Sequence, residues 1–155
     1  MKNALTTIST ESALDKCNYT AGTLPARTNT ITADVLASLL ESKVVTGMDS
    51  VFKQSTTRLA ALVFRLTKDY GWVIETKSEA VGTNDGRIST TSKYWLSQAV
   101  ISKSFENGCR DWIEQVKTDR AERRKQSGKC KINAALRNST KSAADPRQCN
   151  LWSEV

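Results

Sequence analysis

The chain has 155 residues, enough for one domain of ordinary size with extra length at its ends. Hydrophobic residues make up 39%, below the roughly 45–50% of a fully packed chain, so part of the sequence lies outside a core. The net charge of +7 is uneven: residues 1–116 carry 13 Lys+Arg against 12 Asp+Glu, whereas residues 117–155 carry 10 against 4. A basic C-terminal quarter suits an anionic partner, of which nucleic acid is the commonest, and otherwise serves as solvated charge.

No stretch approaches the roughly 18 consecutive apolar residues of a membrane span, and the N-terminus lacks the apolar core of a secretory signal. The expectation is a soluble, cytoplasmic protein with no membrane partner. Histidine is absent, which removes the commonest general base and every Ser-His or Cys-His dyad. Cys17, Cys109, Cys130 and Cys149 form no Cys-x-x-Cys pair, so free thiols are expected rather than a zinc site. No phosphate loop or nucleophile motif is present. Asp111 and Glu114, and Glu75 and Glu79, read as solvated charge. The expectation is a non-enzyme with no cofactor, metal or small-molecule substrate.

Residues 1–29 are rich in Thr, Ser, Asn and Ala and read as a flexible or loosely docked arm. Thr30 or Thr32 can cap a helix on which Ile31, Val35, Leu36, Leu39 and Leu40 form one apolar stripe. Val44 and Val45 suit a short extended segment. Met48–Lys53 is long enough for about two helical turns. After a turn at Gln54-Ser55, Thr56 or Thr57 can cap a longer helix through Tyr70. On it Leu59, Leu62, Val63, Leu66 and Tyr70 line a core face, while Thr57, Arg58, Ala61, Arg65 and Lys68 line the other. Gly71 stops that helix.

Residues 72–96 read as a β-hairpin. Trp72–Lys77 and Ile88–Leu96 are the strands, and Asp85-Gly86 is the turn signal. Trp72 is expected in the core beneath it, and one of Tyr94 and Trp95 faces inward. From Ser97, the residues Ile101, Phe105, Cys109, Trp112, Ile113 and Val116 give a further helical stripe. Gly108 weakens its middle by about 1 kcal/mol relative to Ala. The domain reading is therefore an arm (1–29), a domain (30–97), a docking or dimerisation helix (98–126) and a basic, disordered tail (127–155). The fold class is mainly α with a small β-hairpin, α+β.

Residues 46–96 resemble a winged helix-turn-helix DNA-binding family of bacteria, phages and prophages. The pieces that carry the resemblance are Met48-Asp49-Ser50-Val51, Ser55–Leu66 with its Arg58-Leu59-Ala60-Ala61, Tyr70-Gly71-Trp72-Val73-Ile74-Glu75-Thr76, Asp85-Gly86-Arg87 and Tyr94-Trp95-Leu96. Val73 stands where the family usually has proline, and neither end of the chain is covered. The resemblance implies a winged helix-turn-helix core with an additional C-terminal helix. Its helix Thr56–Tyr70 enters the major groove of double-stranded DNA and the hairpin 72–96 serves as a wing.

On that basis the DNA-binding candidates are Ser55, Thr57, Arg58, Ala61, Arg65, Lys68, Lys77 and Arg87. Arg120, Arg123, Arg124 and Lys125 are the basic tail that adds sequence-independent affinity. Arg58 has an alternative partner in Asp49, and Arg65 and Lys68 also suit the negative end of their own helix dipole. A transcriptional or replication regulator of phage or prophage type is the function this implies. The competing reading is a winged-helix module that binds a host or phage protein, for which the exposed Phe64 offers a contact. Residues 98–126 are then the partner or homodimer helix.

Overall fold

The computed structural model describes residues 21–144, and these form six helices and one small antiparallel sheet, an α+β arrangement. Helix α1 (Ile31–Leu40) is the centre of the molecule. The Ala33 N–H donates to Thr30 Oγ1 at 3.2 Å, so Thr30 is the cap. Ala33, Val35, Leu36, Ala37, Leu39 and Leu40 are all buried, and α1 meets four later elements. These are β1 (Val45–Thr46), α2 (Gly47–Gln54), α3 (Leu59–Lys68) and α5 (Cys109–Lys125).

A reciprocal cap fixes the start of α2: Thr46 Oγ1 accepts from the Asp49 N–H at 3.2 Å, and the Asp49 carboxylate accepts from the Thr46 N–H at 3.3 Å. Ser55 ends α2 in the left-handed region, at φ 56°. Helix α3 starts at Leu59, later than Thr56, because Thr56 Oγ1 accepts from the Arg58 N–H and closes a local turn instead of capping the helix. The inner face is as the spacing predicts: Leu59, Val63 and Leu66 are buried, with Leu62 and Tyr70 packed beside them.

The sheet has three strands, not the two of a simple hairpin. Its order is β1-β3-β2, with β2 at Glu75–Gly82 and β3 at Ile88–Trp95. The register runs from Glu75 opposite Trp95 to Gly82 opposite Ile88, and Val45 pairs with Tyr94. Residues 72–74 lie outside the first strand, because Trp72 is wholly buried and its Nε1–H donates to the Thr23 carbonyl at 2.9 Å. The pairing therefore moves outward along the chain, and all of β2 is solvent-exposed. At the turn, Gly86 takes φ 79°, and the Thr83 N–H and Arg87 carbonyl close the loop at 2.8 Å. Tyr94 and Trp95 are both half-buried, and Tyr94 packs on the core.

Two expectations change. The helix predicted over 98–126 is two helices, α4 (Gln98–Glu106) and α5, because Gly108 adopts φ 79°, a left-handed conformation that breaks the helix rather than merely weakening it. The segment from 127 is not irregular: Ser127–Ala144 is a helix, α6. Of the two alternatives for the arm, its described part, residues 21–29, takes the docked one. The Thr23 N–H donates to the Tyr70 carbonyl at 2.7 Å, Trp112 Nε1–H donates to the Pro25 carbonyl at 3.1 Å, and the Thr28 hydroxyl donates to Asp119. Gly22 permits this approach, since a Cβ there would sit 2.5 Å from the Tyr70 carbonyl oxygen. Residues 1–20 and 145–155, with Cys17 and Cys149, lie outside the described residues.

Candidate nucleic-acid interface

Helix α3 carries two chemically different sides. Leu59, Val63 and Leu66 bind it to the core. Arg58, Ala61, Arg65 and Lys68 follow one another at three- and four-residue spacing, and all four are exposed. Ser55 and Thr57, in the turn before α3, are exposed as well. The candidates from this region are therefore all open to solvent.

The turn is held from below. Ser50 is fully buried, and its hydroxyl lies 2.7 Å from the Gly47 carbonyl and 3.0 Å from the Thr56 carbonyl. The Thr56 N–H returns to the Ser50 carbonyl at 3.2 Å. These bonds fix the angle at which α3 leaves α2. Sequence reasoning passes over Ser50. The available signal is α2's inverted pattern: Ser50 and Gln54, four residues apart, are buried, while Met48 and Phe52 are exposed.

The cations differ in how free they are. Asp49 is held below the usual aspartate range by hydrogen bonds from Lys53 and then Thr46. Its carboxylate is thus occupied, and the alternative of an Arg58–Asp49 pair is not formed. Arg65 approaches Asp69 only at 4.0 Å, with both side chains largely exposed, an approach of little energetic weight. Arg58, Lys68 and Lys77 make no ion pair among the described residues. On the hairpin, Arg87 is exposed at the tip but pairs with Asp85 at 3.2 Å. Lys93 is taken by Glu79, whose carboxyl is lowered mainly by that hydrogen bond.

The four residues read as a basic tail divide. Arg120 is buried, and its Nε reaches Asp34 Oδ2 at 3.2 Å. Arg124 Nη2 donates to the same oxygen and to the Lys53 carbonyl, each at 3.2 Å. Both are thus structural links from α5 to α1 and α2, and Arg120 is withdrawn from any outside partner. Arg123 and Lys125 remain exposed, with Lys125 paired to Glu122. The apolar stripe of 101–116 is spent inside the monomer: Ile101, Cys109, Ile113 and Val116 are buried, and Phe105 and Trp112 pack against the core.

Asp111, Glu114, Glu75 and Glu79 are exposed and scattered. Among the described residues no His/Cys/Asp/Glu cluster could hold a metal, and no helix is long and apolar enough to cross a membrane. Cys109 is buried, which pushes its thiol pKa up, and Cys130 is exposed. No protein-family model and no curated protein matches the chain.

Proposed function

We propose that this protein is a winged helix-turn-helix DNA-binding regulator of phage or prophage type that works in the cytoplasm on double-stranded DNA. The observation that carries the reading is α3: a helix anchored by three buried apolar side chains, with Arg58, Ala61, Arg65 and Lys68 open on the other side. The major groove, about 12 Å wide, admits such a helix. Helices α1 and α2 act as its supports. The β2–β3 hairpin acts as the wing, with Lys77 and Arg87 near phosphates. Ser55 and Thr57, before the helix, suit phosphate binding as short hydroxyl donors.

The test is a gel-shift titration against random duplex and sheared genomic fragments at two salt concentrations. Tight, salt-sensitive binding is expected at about 50 mM salt, with Arg58→Ala plus Arg65→Ala weakening it about tenfold or more. No binding by the unaltered protein at low salt removes the reading.

A second reading, a protein-interaction module on the same fold, is favoured by one specific feature. Met48 and Phe52 on α2, and Phe64 on α3, are exposed large apolar side chains. A stoichiometric protein partner that survives nuclease treatment and is lost in Phe52→Ser would favour it over DNA.

A further inference from the structure

We infer that α6 is a second DNA-binding element, laid along the phosphate backbone beyond the reach of α3. This rests on the DNA-binding reading above. The 18 residues of α6 include no aspartate or glutamate, and Lys129, Lys131 and Arg137 are exposed. Lys129, Asn133 and Arg137 follow one another at four-residue spacing, so they form a stripe along one side of the helix.

The position of α6 follows from α5. The Arg124 bond to the Lys53 carbonyl pins the end of α5 against the end of α2, two residues before the Ser55 turn. α6 begins at Ser127, three residues after that anchor. It therefore follows directly on a helix end that is tied to α2. At about 1.5 Å per residue it extends about 27 Å. That matches about eight steps of duplex at 3.4 Å each.

A second copy of α6 is a poor occupant of this face. Two such helices would bring together charged side chains of one sign only, and the large apolar groups on each are just Ile132 and Leu136. A polyanion fits the charge, and stripe spacing suits a regular row of phosphates.

The test compares the unaltered chain with Lys129→Gln/Arg137→Gln, using random duplex and a selected genomic fragment over a salt series. Since these side chains are exposed, circular dichroism and melting should match the unaltered protein. The slope of log K against log salt should flatten by about 2, about 0.9 for each phosphate no longer neutralised. The affinity should fall equally on both duplexes. An unchanged slope in a protein that still binds DNA overturns the role of α6 and leaves that of α3 standing. No binding by the unaltered protein at low salt overturns both. Ile132→Ser/Leu136→Ser should bind DNA normally; if instead it converts a dimer to a monomer in light scattering, α6 is a self-association surface and the inference falls.

Discussion

Helices α5 and α6 have 17 and 18 residues and are separated by the single residue Gln126, yet one is built into the core and the other stands outside it. α5 presents Cys109, Ile113, Val116 and Arg120 to the molecule, a stripe that runs over three turns. Each large apolar side chain so buried contributes about 1.5–3 kcal/mol. Its polar end is met by Asp34 on α1. α6 also has two large apolar residues four apart, Ile132 and Leu136, but both remain more than 60% exposed. Their neighbours on that face, Gly128, Ala135 and Ser139, are too small to extend the stripe. Two side chains do not dock a helix. A continuous stripe with a charge partner at its end does.

The largest expected effect comes from breaking the anchor of α5. Asp34→Ala leaves the Arg120 guanidinium buried without its carboxylate, and should cost about 3 kcal/mol or more in urea unfolding. A loss under about 1 kcal/mol would mean that the pair does not hold α5. Next is Ile113→Ala, which opens a cavity between α5 and the core. It should cost about 2–4 kcal/mol, read as a lower denaturation midpoint with an unchanged slope.

A smaller effect is expected at Glu41, the second ionic link to α5. Burial pushes its carboxyl up, but hydrogen bonds from Lys117 and then Lys43 outweigh this and leave it below the usual glutamate range. A carboxyl lowered by folding adds stability above its unfolded value, about pH 4.3, and that stability disappears as pH falls through the folded value. Glu41→Gln should therefore lose about 0.5–1 kcal/mol at neutral pH and flatten the acid limb of the stability profile. An acid limb identical to that of the unaltered protein would contradict the link. The smallest effect is Leu136→Ala, which should stay within about 0.5 kcal/mol. A cost comparable to that of Ile113→Ala would show that α6 is packed after all.

Much of the inner architecture is legible in the sequence. The stripe of Ile31, Val35, Leu36, Leu39 and Leu40 becomes α1, the inward side of α3 falls on Leu59, Val63 and Leu66, and Asp85-Gly86 makes the turn. The exposed α3 candidates are legible too, since the side opposite a leucine stripe must face away from the core. Arg120 is the counter-example. Its basic neighbours Arg123, Arg124 and Lys125 suggest a free tail, but its spacing from Val116 continues the inward stripe. Nothing local in the sequence announces that Asp34, 86 residues earlier, is waiting for it.

Local sequence by itself determined which side of each helix is apolar, where chains turn and which segment carries unbalanced charge, because periodicity, positive φ and charge are properties of neighbouring residues. Tertiary structure alone decided who meets whom. It tied residues 21–29 to Trp72 and Trp112, added Val45–Thr46 to the sheet and split the basic residues into buried ties and exposed ones. Those outcomes depend on the meeting of distant residues, where burial sets the cost of every unpaired charge and polar group.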